Sequence, residues 1–253
     1  MASLVSIIMP TFNAETTVIE SINSIIAQTH TNWELLVTDD CSSDSTMDIL
    51  SAFSDSDPRI KVFQNSQNSG AAVSRNKSIE NAKGVFLAFL DSDDVWYPSK
   101  LKTQVAWMNK NQEVSFSFTA YELVNSNSES LNKIVDLQGD GLKFSYKDML
   151  FKRATLGCST VMLKREAFDD LFMPLIRTGQ DYALWLKLLK QDRYAYLINV
   201  VLTKYRIMPN SISRNKIKKA KRQWQIYREI ESLPFLSSVV FFISYAWRAI
   251  FRK

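Results

Sequence analysis

This chain of 253 residues has one histidine and two cysteines, and it contains no internal repeat and no low-complexity linker. His30 lies in a Gln-Thr-His-Thr stretch between a predicted helix and a predicted strand, so neither a Ser-His-Asp relay nor a histidine-ligated metal can be built around it. Cys41 and Cys158 are far apart and show no paired zinc spacing, and no charged start with a small-residue cleavage site opens the chain. A reduced, cytoplasmic protein is the expectation. Long apolar runs are missing too: the uncharged stretch 235–247 would reach only about 20 Å as a helix, against ~30 Å of bilayer hydrocarbon.

What is present is a 46% hydrophobic composition, enough to bury a sizeable core in one compact unit. Charge is unevenly divided. Residues 211–253 carry ten Lys or Arg against Glu229 and Glu231, a net +8, and because the whole chain is at +5 the body is at −3. Such a tail points to an anionic partner. On a helical wheel, 235–252 sets Ser237, Ser238, Ser244, Tyr245, Arg248 and Arg252 on one side. Leu236, Val239, Val240, Phe242, Ile243, Ala246, Trp247 and Ile250 fall on the other, with Phe241 the exception. The pattern predicts an in-plane anchor on a membrane surface, with the basic stretch 214–228 facing anionic lipid. A terminal helix packed on the body or on a second subunit is the competing reading. Nucleic acid is not expected, because the basic residues are not interleaved with a recognition module.

Along the first hundred residues short apolar runs alternate with helix-period segments. Strands are predicted at 4–9, 33–38, 59–64 and 85–90, and helices at 14–29, 45–53 and 71–82. This alternation predicts an α/β fold with a mainly parallel sheet and helices on both faces. The rhythm changes after about residue 111. Strands are predicted at 114–124, 158–164 and 194–207, and a helix at 179–191. Residues 1–110 thus read as one half of the domain, 111–210 as the other, and 211–253 as a helical tail.

In such sheets ligands bind beyond the carboxyl ends of the strands. Those ends are polar and acidic: Pro10-Thr11-Phe12-Asn13, Asp39-Asp40-Cys41-Ser42-Ser43-Asp44, and Asp91-Ser92-Asp93-Asp94. Three carboxylates within four positions repel one another unless a positive charge sits among them, and Mg²⁺ or Mn²⁺ suits carboxylate oxygens. One enzyme reading follows from the motif alone. Leu90-Asp91-Ser92-Asp93-Asp94-Val95 matches the haloacid-dehalogenase signature, with Asp91 as phosphoryl-accepting nucleophile and Asp93 as acid and base. That signature resembles an opening strand of its domain, whereas three strand-helix units precede it here.

A second reading takes the strand ends together. "VSIIMPTFNAETTVIESINSIIAQTHTNWELLVTDDCSSDST" followed by "NSGAAVSRNKSIENAKGVFLAFLDSDD" resembles the nucleotide-sugar-binding half of glycosyltransferase family 2, of GT-A fold, and the likeness extends through "GQDYALWLKLL". The resemblance implies an inverting, metal-dependent transferase using Mn²⁺ or Mg²⁺. It implies that Pro10, Thr11 and Phe12 line the nucleoside pocket, and that Asp40, with Asp39 beside it, accepts a hydrogen bond from uracil. Arg75, next to Asn76, would pair with the diphosphate or the aspartates, and Ser92 would lie along the donor. Asp91 and Asp93 would hold the metal, and Asp181 would be the base, with Gln180 in place of the family's usual Glu. The expected donor is a nucleotide-sugar, UDP-linked; the expected acceptor is a saccharide, lipid-linked, at the inner face of a membrane in polysaccharide or O-antigen assembly. A non-catalytic, membrane-recruited sugar-nucleotide module is the remaining alternative.

Overall fold

The computed structural model describes residues 2–139, 142–190, 193–208 and 216–251. Four parallel strands form its first half: β1 (Val5–Thr11), β2 (Trp33–Asp39), β3 (Ile60–Gln64) and β4 (Phe86–Phe89). They are connected by α1 (Val18–Ile26), α2 (Thr46–Ser56) and α3 (Ala71–Glu80). Every residue of β1, β2 and β4 is buried, which explains their continuous apolar runs: a strand covered on both faces has no reason to alternate. Successive residues serve opposite faces. Ile8 and Leu36 pack into a core with Phe89, Phe116 and Trp185, while Ile7 and Leu35 pack with Ile22, Ile25 and Leu50.

The strand order is β3-β2-β1-β4, so the chain reverses direction across the sheet between β1 and β4, and this is where α/β sheets open a crevice. Beyond β4 the ten-stranded sheet becomes mixed. It continues through β9 (Met162–Lys164), β6 (Phe116–Val124), β10 (Tyr194–Arg206) and β5 (Val95–Trp96). β10 runs parallel to β6, while β9 and β5 run antiparallel to their neighbours. Between them lie α4 (Lys100–Lys110), β7 (Ser130–Val135), β8 (Lys143–Ser145), α5 (Tyr146–Leu150) and α6 (Gln180–Leu188). The predicted strand 158–164 is only half strand: Cys158–Thr160 forms a 3₁₀ turn, with Thr160 Oγ1 donating to the Gly157 carbonyl at 2.7 Å. The strand prediction at 194–207 corresponds to one long β10, irregular between Ile198 and Thr203.

The tail comprises α7 (Lys216–Gln225), a π-helical turn (Ile226–Ile230) and α8 (Phe235–Phe251). α8 packs on the body through the side that carries its serines. Ser238 is fully buried, Ser244 Oγ donates to the Phe151 carbonyl at 3.1 Å, and Phe241 sits edge-on against Phe151 at 4.8 Å. Packing on the body and an apolar outward stripe therefore coexist. Arg214 and Arg252, counted in the sequence pattern, lie outside the described residues. Among the described residues no helix is long and apolar enough to cross a membrane.

Candidate active site

The acidic turn after β4 sits at the point where the strand order reverses, and four separate elements fix it. Ser21 of α1 donates to the carbonyls of Ser92 and Asp94 at 3.0 and 2.7 Å. Ser159, on the 3₁₀ turn, accepts from the Asp91 backbone N–H at 3.1 Å and donates its own proton to Asp94 Oδ2 at 2.5 Å. Arg206, ending β10, donates its backbone N–H to Asp94 Oδ1 at 2.9 Å and Nε to the Asp93 carbonyl at 2.7 Å. Arg75 of α3 completes the frame, with Nη2 on Asp91 Oδ1 at 2.5 Å.

Carboxylate oxygens of Asp91, Asp93 and Asp94 lie within 4.8 Å of one another. Their environments differ. Asp94 is 1% exposed and spends both oxygens on protein donors, and burial, with Asp93 and Asp91 beside it, holds its carboxyl well above the usual range. Burial, then the charge of Asp91, pushes Asp93 up to about 6. Burial works against the charge on Arg75, but Asp91, Cys158 and Asp181 outweigh it and hold the guanidinium protonated. A divalent cation fits this donor set, because it relieves the repulsion that raises Asp93 and takes hard oxygen ligands. Asp91 and Asp93 are the residues able to hold it, since Asp94 is committed to Ser159 and Arg206.

The loops after β1 and β2 form the neighbouring wall. Thr11 and Asp39 are register partners, and Asp39 accepts from Thr11 Oγ1 at 3.2 Å and from Ser42 N–H at 2.9 Å. Pro10 is buried in β1 and Phe12, just past its end, is exposed. Asp40 Oδ1 accepts from Asn65 Nδ2 and Ser69 N–H, both at 2.9 Å, and Oδ2 from Gly70 N–H at 2.7 Å. A carboxylate on the backbone amides that open a helix is a favourable charge position, and it fixes the start of the helix that carries Arg75.

Asp181 lies in the first turn of α6, which Trp185 locks to the sheet through edge contacts with Phe89 at 5.4 Å and Phe116 at 5.3 Å. Burial raises the Asp181 carboxyl and Asp91 adds to the rise, while Arg75 opposes it. Asp181, Arg75 and Asp91 thus share one electrostatic site although 106 residues of sequence separate the first two. Sequence reading missed Ser159 and Arg206. Each is one of several polar residues in a strand-like segment, and only the fold brings it to the acidic turn.

Comparison with known proteins identifies the family. The model of "Glycosyl transferase family 2" matches residues 6–172. A Bacillus subtilis protein named as a teichuronic acid biosynthesis glycosyltransferase, TuaG, is 43% identical over 250 residues, 99% of this chain and 97% of its own length. The Escherichia coli UDP-Glc:alpha-D-GlcNAc-diphosphoundecaprenol beta-1,3-glucosyltransferase WfgD is 42% identical, covering 96% of this chain and 92% of its own. Among solved structures, S. aureus TarS in complex with UDP-GlcNAc superposes with a TM-score of 0.74 at 20% identity, over 96% of this chain and 71% of TarS. A Pyrobaculum calidifontis mannosyltransferase in complex with GDP-Man and Mn²⁺ gives 0.69 at 17%, over 98% and 70%. Those two likenesses speak for the GT-A fold. The phosphohydrolase reading loses its ground, since the family model spans the Asp91-Ser92-Asp93 motif and the motif ends a fourth strand, not an opening one. With a GT-A sheet, an acidic turn at its reversal point, and relatives matched over nearly their whole length, this chain belongs to glycosyl transferase family 2.

Proposed function

We propose that this transferase moves a sugar from a UDP-sugar to a saccharide carried on a lipid diphosphate, with inversion at the anomeric carbon, in bacterial surface-polysaccharide assembly. The observation that carries the reading is the convergence of Asp91, Asp93, Arg75 and Asp181 on one site at the β1/β4 reversal. WfgD, similar end to end, is named for a UDP-Glc donor and a diphosphoundecaprenol-linked acceptor, which supports the same substrate classes here.

The nucleoside lies against Pro10, Thr11 and Phe12, beside Asp39 and Asp40. Asp40 Oδ2 takes one backbone bond, from Gly70, and a carboxylate oxygen has room for a second donor such as the uracil N–H. The diphosphate lies along Ser92 near Arg75, whose buried charge faces Asp91. A divalent ion, Mn²⁺ or Mg²⁺, held by Asp91 and Asp93 would supply Lewis-acid neutralisation of the departing nucleoside diphosphate. Asp181 takes the proton of the acceptor hydroxyl as that oxygen bonds to the anomeric carbon, and the bond to the diphosphate breaks on the opposite face. A carboxylate raised by burial is a stronger base than an exposed one.

Calorimetry with UDP, with and without Mn²⁺, together with transfer assays on Asp93→Ala and Asp181→Asn, tests the assignment. Asp93→Ala is expected to lose metal-dependent UDP binding. Asp181→Asn is expected to keep that binding while transfer falls about 10²–10⁴-fold. UDP binding without turnover on any lipid-linked acceptor would instead make the chain a non-catalytic binding module, and full activity of Asp181→Asn would place the base elsewhere.

A further inference from the structure

Helix α8 turns its serine-bearing side to the body and an apolar stripe outward. Its inner side is held by Ser244, whose Oγ donates to the Phe151 carbonyl at 3.1 Å, and by Phe242, edge-on against Trp224 at 5.5 Å. On its outer side Leu236, Val240, Ile243 and Trp247 are 78%, 54%, 62% and 63% exposed. Spacings of four, three and four residues align them in a single stripe about 16 Å long. The serines that would ordinarily face water thus point inward, and the large apolar side chains point out. A continuous apolar stripe of this kind marks an interaction surface.

Charge identifies the partner. α8 contains no Asp or Glu, and α7, which packs against it through Trp224, exposes Lys218, Lys219 and Lys221. A second copy of the chain would bring one +8 tail against another, whereas an anionic surface complements both the stripe and the lysines. The helix is about 25 Å long, too short to cross the ~30 Å hydrocarbon layer, but an amphipathic helix of that length lies readily in the interface. We propose that α8 docks in the plane of an anionic bilayer. Leu236, Val240, Ile243 and Trp247 insert among the headgroups, and the α7 lysines contact anionic lipid. This docking is independent of the donor and acceptor chemistry proposed above.

Flotation of the full chain with phosphatidylcholine vesicles, with and without phosphatidylglycerol, is the test. The wild type is expected to float with the anionic vesicles and to be released by salt. Ile243→Glu should weaken partitioning by about tenfold or more, and Lys218→Glu with Lys221→Glu by several-fold, each with unchanged thermal melting and unchanged UDP calorimetry. If Ile243→Glu fails to melt as the wild type does, the paired Val240→Ser and Ile243→Ser changes replace it. Equal flotation of the wild type and a folded stripe variant overturns the proposal. So does a wild-type dimer that Ile243→Glu splits while neither form floats, because the occupant of the stripe is then a second copy. Failure of UDP binding in every variant, with flotation intact, would strike the catalytic reading alone.

Discussion

The acidic turn shows how three adjacent carboxylates of one type acquire different tasks. Asp94 is a structural member, bridging the Ser159 hydroxyl and the Arg206 backbone amide in a site without solvent. Asp94→Ala leaves both donors buried and unpaired, and an unfolding free energy lower by about 2–4 kcal/mol is expected in denaturant titration, with Asp94→Asn retaining most of it by keeping an acceptor oxygen. Asp93→Asn should not destabilise the metal-free protein, because its carboxylate is already disfavoured by burial and by Asp91. If Asp181 is the base, as proposed, it contributes an acid limb to the pH dependence. Its pKa is raised by burial, so the ionised base is lost as pH falls through a value above the ordinary aspartate range near 4. Below that point kcat/KM is expected to drop about tenfold per pH unit. Arg75 opposes the rise, so Arg75→Gln should move the acid limb of the pH–rate profile further up. An unmoved limb would separate the titrating group from Asp181.

At the scale of elements, the loop entering α6 depends on Gly179. Its φ of +72° is left-handed, and an added Cβ would stand 3.1 Å from Ile226 Cδ1 and 3.7 Å from Arg222 Cγ. Gly179→Ala is expected to cost about 1–3 kcal/mol and to shift the start of α6, lowering kcat while leaving the Kd for UDP unchanged. The first-half elements were legible in sequence because strands buried on both faces read as unbroken apolar runs and their polar ends mark the crevice. Type and spacing singled out Asp91 and Asp93 as candidates, and the structure puts them on one turn with Arg75 against Asp91. Ser159 and Arg206 were not singled out, since they reach Asp94 from 65 and 112 residues away and no local pattern records such a contact. β7 has no counterpart among the predicted strands, because five of its six residues are exposed and it offers no apolar alternation. The wheel for α8 separated the serine side from the apolar stripe but set Phe242 with the stripe, whereas Phe242 packs edge-on against Trp224 on the inner side. Phe241, edge-on against Phe151, and the Phe151 carbonyl that accepts from Ser244 turn the serine side inward.

Across the whole molecule, the tail is part of the wall of the site as well as a surface. Arg222 Nε donates to Thr178 Oγ1 at 3.2 Å and Ile226 packs on Gly179, both just ahead of Asp181. Tyr227 Oη donates to the Leu150 carbonyl at 2.8 Å, tying the same segment to α5. Docked as proposed, α8 would hold the loop that precedes Asp181 at a fixed relation to the lipid surface, and an acceptor confined to that surface would meet it at high effective concentration. Outward and inward substitutions should then separate. Ile243→Glu is expected to leave transfer to a soluble saccharide acceptor unchanged, and to slow transfer to a vesicle-borne acceptor by about tenfold or more. Removing 235–253 also strips Phe241 and Phe242 from Phe151 and Trp224, so it should cost about 3–5 kcal/mol or more in stability and slow both acceptors. Parallel rate measurements on the two acceptors, with melting curves for each variant, check this. If Ile243→Glu slowed both acceptors alike at unchanged stability, the stripe would be acting on the site itself and not through the membrane.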